Sequence, residues 1–487
     1  MRNGSTPTFL VALFISLLCS DLALGQSYEF SWDRATLYSI ATDQFQNGDP
    51  SNDPTDRRSD AESLTTESAR PVGGDFAGIV AKIEEGYFSN LGVQAICISM
   101  IHPRVSTGDR YSSVWSLDYT EIAAAYGTVD EFKRLIESAH EQNLRVIMEV
   151  ALPERGIDLA IDSLSVDRGP MISEIFHEKW GESGSAVTTS LVEFFMRSGH
   201  PIRSEYAAIH WLTHWVRTFG VDAFHVGGAE MIETDVLSAL KAEGIAALRK
   251  WKSEHPAKSK DELDFWLMAD VLDHGPVKSA YHDAGVDATT NFGFASGEDD
   301  LESIYADYSA TIAADPTYNI VSFVSSGETT LGERRDLFRA GTELFLLPGI
   351  IQIHSGNDTA AAFSVGSRVA GDSLSPMNWD GMDEEVRIHW TKLAQFRARH
   401  PSIAQGVHEK ISDEPYAFYR GVRIGLDVDE VIVVIGAAGR VRLNVSRYFP
   451  DDTILRDAYT GKITMISYGE ATFETGDHGV LLLELVQ

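Results

Sequence analysis

The chain has 487 residues, 44% hydrophobic and 10% aromatic, which is ample core material and excludes wholesale disorder. Its 72 acidic against 40 basic residues give a formal charge of −32. A nucleic-acid backbone or an anionic membrane surface would be repelled, and neither is expected as a partner. The length fits one large barrel with an appended sheet domain.

Met1-Arg2, the apolar run Phe9 to Leu18 and the small-X-small end Ala23-Leu24-Gly25 have the layout of a cleavable secretory signal over residues 1–25. The run falls short of the roughly 18 apolar residues of a membrane span, so a secreted or periplasmic product is expected. Leu18 before Cys19 is a poor match to a lipid-attachment site. With the signal removed, Cys97 is the only cysteine left, no internal disulfide can form, and its setting Ala95-Ile-Cys-Ile98 predicts a plain buried side chain.

Ala35 to Ile40 reads as a strand ending in the polar loop Asp43 to Pro54. Ile79, Val80, Ile83 and Tyr87 recur at helical spacing after an Asp75 cap, and Val93 to Ser99 follows as a strand, which makes a parallel strand-helix-strand unit. Thr128-Val-Asp-Glu131 is a capping box for a helix with the stripe Phe132, Leu135, Ile136 and Ala139. Leu144 to Leu152 is almost wholly apolar, as a doubly covered parallel strand should be. From 153 to 206 the pattern loosens, Gly181 to Ser185 most of all, and reads as an excursion over the barrel mouth.

Ile209, Leu212, Val216 and Phe219 restore the helical stripe before a strand at Asp222 to Val226. Further strands are expected at Phe265 to Leu272, Asp287 to Phe292, Asn319 to Ser325 and Gly349 to Ile353, with a helix carrying Leu337, Gly341 and Leu344. Eight strands alternating with helices predict an α/β fold, a (β/α)8 TIM barrel, over 26–398. After His400-Pro401 short strands at Val428 to Ile435, Arg440 to Val445, Ala471 to Phe473 and Gly479 to Leu485 predict a C-terminal antiparallel β-sandwich over 401–487.

A series of segments in one order resembles the alpha-amylase superfamily, glycoside hydrolase family 13, above all its cyclodextrin glucanotransferase, cyclomaltodextrinase and extracellular amylase branches. The segments are Tyr38 to Pro54, Gly73-Gly-Asp-Phe-Ala-Gly78, Trp115 to Ile122 with Tyr126-Gly-Thr128, Phe219 to Met231, Phe323 to Thr330 and Leu347 to Asp358. The resemblance implies a calcium ion held by Asn47, Asp49, Asn52, Asp53, the Gly73 carbonyl and Asp75, all hard oxygen donors. Read without it, Asn-Gly-Asp-Pro is ordinary turn chemistry.

The family hydrolyses alpha-glucans by a retaining mechanism with a carboxylate nucleophile, a carboxylic acid and a third carboxylate. Laid on that pattern, the nucleophile position is Gly227, beside His225 in place of an arginine and Glu230-Met231 in place of Lys-His. Asp270 stands for the acid and is one methylene short, and Gly327-Glu328 replaces His-Asp. Asp270 and Glu328 remain as degenerate catalytic candidates, with Asp273 nearby. Trp115, Glu154 and His274 are the candidates for touching sugar, although Trp115 also suits the barrel wall and His225 with His274 suits ordinary packing.

Two functions follow. One is a secreted amylase-fold protein of carbohydrate metabolism, catalytically impaired and retained to bind a glucan, an oligosaccharide or a protein partner. The other is an active hydrolase with carboxylates reassigned to Asp270 and Glu328.

Overall fold

The computed structural model describes residues 28–53, 73–103, 119–153, 184–272, 275–296, 300–315, 317–324, 337–359 and 377–486. The expected signal segment lies outside them. Eight parallel strands close a barrel in sequence order: β1 Thr36–Ile40, β2 Ala95–Ile98, β3 Arg145–Val150, β4 Ala223–Val226, β5 Trp266–Ala269, β6 Ala288–Asn291, β7 Asn319–Ser322 and β8 Ile350–His354. β8 returns to β1 with Leu37 opposite Gln352. All eight expected strands are present.

Alternation decides what each strand residue does, because successive side chains point to opposite faces. Leu37, Ala95, Cys97, Ile147, Ala223, Met268, Ala288, Val321 and Ile350 face inward and fill the barrel. Trp32 stacks on Trp266, rings 4.6 Å apart and nearly parallel, and shares that core. The intervening residues, among them Tyr38, Ile96, Met148 and Phe224, face outward into a second core beneath the helices.

The helices begin where the sequence provides caps. Phe76–Glu84 starts after Asp75, whose carboxylate accepts from the Gly78 N–H, and Val129–Glu141 starts at the reciprocal Thr128–Glu131 box. Within the 153–206 excursion, Gly184–Ser198 is helical, and a second helix, Ser204–Phe219, begins before its end. Leu191, Phe194 and Phe195 supply the buried face of the first.

Beyond the barrel, Glu384–Arg399 and the short helix Pro401–Gln405 lead into an antiparallel domain. Its six-stranded sheet runs β14-β13-β16-β11-β10-β9, and a two-stranded sheet pairs β12 with β15. These are β9 Val407–Asp413, β10 Tyr416–Ile424, β11 Asp427–Ile435, β12 Arg440–Asn444, β13 Ile454–Asp457, β14 Ile463–Met465, β15 Glu470–Glu474 and β16 Leu481–Leu485. Ile432, Val434, Leu481 and Leu483 of the larger sheet pack against Val441, Leu443, Ala471 and Phe473 of the smaller, forming a sandwich core separate from the barrel's.

Candidate active site

Two residues along six of the eight barrel strands, the inward position changes character. Leu37 gives way to Ser39, Ile147 to Glu149, Ala223 to His225, Met268 to Asp270, Ala288 to Thr290 and Ile350 to Gln352, followed by His354. These polar residues line one cavity of about 170 Å³, with Phe292 and Phe323 as its aromatic wall. It lies at the C-terminal ends of the strands, where a barrel carries its chemistry.

The centre of the floor is a pair of a buried histidine and a partly buried aspartate. His225 Nε2 lies 2.8 Å from Asp270 Oδ1; the two are in charge contact, although neither atom has a hydrogen bond aligned on the other. Burial opposes charge on the imidazole, but the Asp270 carboxylate prevails and raises the His225 pKa well above its ordinary value. Burial likewise pushes Asp270 upward, and the attraction of His225 with hydrogen bonding outweighs it, so Asp270 is held below the usual carboxylate range. His354 is the opposite case: burial lowers it to about 4, leaving it neutral at neutral pH, and it contacts the Gln352 amide at 3.2 Å.

Cys97 Sγ is 3.7 Å from the other ring nitrogen of His225. The order Cys97, His225, Asp270 resembles a nucleophile-base-acid relay. Burial raises the thiol pKa, however, and the side chain sits in the barrel core at 1% exposure. A thiol so placed is inert.

Gly227 follows β4 and its N–H donates to the Val150 carbonyl at 3.0 Å. Among the described residues, a β-carbon on Gly227 would meet only the Glu149 carboxylate, at 4.0 Å. Room for a side chain is therefore present, and an acid from the neighbouring strand stands at its edge. Glu149, paired across the strands with His225, was not among the residues singled out from the sequence. Its signal was a lone carboxylate inside the apolar run Arg145-Val-Ile-Met-Glu-Val150.

Glu230 lies on an exposed turn, Ala229–Met231, and is not among the residues lining the cavity. The turn folds back because the Ala229 N–H donates to the Asp270 carbonyl. Trp115, Glu154, Asp273, His274 and Glu328 lie outside the described residues.

The loop after β1 packs on the start of the first helix. Asp75 accepts from the backbone N–H groups of Gly48, Asp49 and Gly78 at 2.7–3.2 Å, and Asp49 turns its carboxylate to the Ser51 N–H. The Asn47 amide donates to Asp53 at 2.8 Å. The side-chain oxygens of Asn47 and Asn52 are buried without a hydrogen-bond donor. Gly73, at φ +82°, lies so close that a β-carbon would be 2.2 Å from Asp53. Among the described residues no three His, Cys, Asp or Glu side chains are gathered as for a metal.

A closed (β/α)8 barrel with carboxylates on its floor and a C-terminal antiparallel sandwich defines the class of barrel glycoside hydrolases. The catalytic-domain model of the alpha amylases matches residues 39–158. The periplasmic alpha-amylase of Escherichia coli strain K12 is 28% identical over 499 residues, covering 83% of this chain and 73% of that protein. A cyclomaltodextrin glucanotransferase from Bacillus sp. strain 38-2 is 35% identical over 164 residues, 31% of this chain and 22% of the enzyme. The alpha-amylase of Geobacillus thermoleovorans, crystallised with acarbose, superposes with a TM-score of 0.67 at 18% identity, over 94% of this chain and all of that one. By sequence the chain is similar to the alpha-amylase superfamily over most of its length.

Proposed function

We propose that this is an exported amylase-fold protein that binds an alpha-glucan or oligosaccharide and does not cleave it efficiently. The observation that carries the reading is the state of Asp270. A general acid must hold a proton at working pH, which is why glycosidases raise the pKa of that carboxyl. Asp270 is pulled the other way by the imidazolium 2.8 Å from it.

Gly227, at the position the family's nucleophile would take, has no oxygen to attack with. Loss of a covalent nucleophile costs on the order of 10⁴ to 10⁶ in rate. The alternative, hydrolysis by Asp270 with Glu328, asks Asp270 for the proton it is least disposed to carry. The acarbose-bound Geobacillus neighbour supports an oligosaccharide as the ligand class. The name of the Escherichia coli relative supports export, and among the described residues no helix is long and apolar enough to cross a membrane.

Calorimetric titration with maltotriose is expected to give binding, and starch, maltodextrin and cyclodextrin no turnover. Turnover that disappears in Asp270→Ala or Glu328→Ala would defeat the reading, and absence of both binding and turnover would leave a protein partner as the better account.

Calcium fits the loop after β1 in part. The donor-less oxygens of Asn47 and Asn52, with Asp53 and the Gly73 carbonyl, form a hard-oxygen set of the kind that ion takes. Asp49 and Asp75 are already engaged by backbone N–H groups. Chelation is expected to lower the thermal midpoint; an unchanged midpoint with no metal by elemental analysis would remove the ion.

A further inference from the structure

The room over Gly227 and the carboxylate at its edge belong together. In a retaining glycosidase the nucleophile approaches the anomeric carbon on the face opposite the leaving group, and an inverting enzyme differs by leaving space there for a water and a carboxylate to activate it. Here, among the described residues, the space is free to 4.0 Å, and the atom at that limit is Glu149 Oε1. A water lying about 1 Å nearer that oxygen than a β-carbon at 227 would be comes within hydrogen-bonding reach of it. The cavity, about 170 Å³, holds several waters at roughly 30 Å³ each. One more group there asks for a hydrogen-bond donor: Gln352, 2% exposed, lines the same cavity with a side-chain oxygen that has no partner.

We propose that Glu149 is a substitute general base, which activates a water in the room left by Gly227 and gives the site a residual, inverting hydrolase activity toward alpha-glycosyl donors whose leaving group needs no proton. The inference rests on the reading of Gly227 as the nucleophile position. With an alpha-glycosyl fluoride the water oxygen bonds to the anomeric carbon as the carbon–fluorine bond breaks. Fluoride departs with the bonding pair, and the water's proton passes to Glu149 and then to solvent, so that donor and water become free sugar and HF. A departing fluoride does not require an acid, so the ionised state of Asp270, which stops cleavage of a glucan, is no obstacle. One displacement without a covalent intermediate turns an alpha donor into a beta sugar.

The test is alpha-D-glucosyl fluoride with the full chain, following fluoride by electrode and the first-formed anomer by proton NMR before mutarotation. The expected result is enzyme-dependent fluoride release with beta-glucose formed first. Glu149→Gln is expected to lose at least about 100-fold, the scale of general-base catalysis. Gly227→Ala puts a methyl into the water's space without meeting any atom of the described residues nearer than 4.0 Å; it should fold with an unchanged thermal midpoint and release fluoride at least about tenfold more slowly. Alpha-glucose as first product, an undiminished rate in Glu149→Gln, or no enzyme-dependent release would each overturn the proposal. Maltotriose titration separates the two readings: binding without fluoride release sinks the role of Glu149 alone, whereas absent binding sinks the glucan-binding function.

Discussion

At the scale of single residues, the His225–Asp270 pair sets what the floor can do. Its direct check is a pH titration of the His225 ring by NMR: the imidazolium should persist well above pH 6.5, and in Asp270→Asn its pKa should fall because burial is then opposed only by the smaller contribution of Cys97. Removing one partner of a buried pair strands the other charge, so Asp270→Asn is also expected to cost about 3 kcal/mol in denaturant unfolding. Much of this site was legible in the sequence. Gly227, His225 and Asp270 sit on or just beyond strands whose period is clear, and the layer rule locates them on one floor. Glu149 obeys the same rule, but a single acid within an apolar strand reads in sequence as an interruption until the neighbouring vacancy is seen in space. The contact between His225 and Asp270 was likewise beyond the sequence, which brings β4 and β5 together but does not aim their side chains.

At the scale of elements, packing overrides local propensity where helices meet. Gly341 lies inside the helix Leu337–Phe345, where alanine would ordinarily be better by about 1 kcal/mol. A β-carbon there would fall 2.5 Å from the indole nitrogen of Trp390, which is fully buried and donates to the Leu337 carbonyl. Gly341→Ala is therefore expected to lower stability by about 1–3 kcal/mol, measured by thermal or urea unfolding; a gain would show that the two helices can move apart freely. Helices announced by a cap and an apolar stripe were foreseen. β9 and β10 were not. In β10 a fully buried Arg420 and then Gly421 break the expected alternation. Arg420 is tolerated because its guanidinium donates to the Leu346 and Ile403 carbonyls at 2.6 Å and lies over Tyr305 and Phe418. Those partners come from distant parts of the chain, and a strand held by them leaves little local signature.

At the scale of the whole molecule, the barrel and the sandwich share a charged junction. His400, after the last long helix, touches Asp429 of β11 at 2.7 Å and Glu484 of β16 at 2.6 Å. Burial works against charge on all three, yet the mutual contacts raise His400, lower Asp429 and bring Glu484 down to about 2. The raised histidine contributes stability that is complete below its unfolded pKa, near 6.5, and is lost as pH rises through its folded value. The two lowered carboxylates contribute above about pH 4 and lose that contribution on acidification, Glu484 as pH falls toward about 2. Thermal midpoints of the native protein should thus decline on both sides of a weakly acidic plateau, and His400→Ala should remove the share of the alkaline decline that His400 contributes, leaving that of His225. An alkaline limb identical in the variant would count against the junction.

Cys97, wrapped in the innermost layer with its sulfur facing His225, also makes the barrel its own clock. An alkylating reagent has no path to that sulfur until the surrounding strands part, so the pace of its labelling in dilute denaturant should follow the opening of the whole cylinder. A bound sugar that tightens the floor would slow that pace, and ligand protection could be timed with a native atom in place of an added probe.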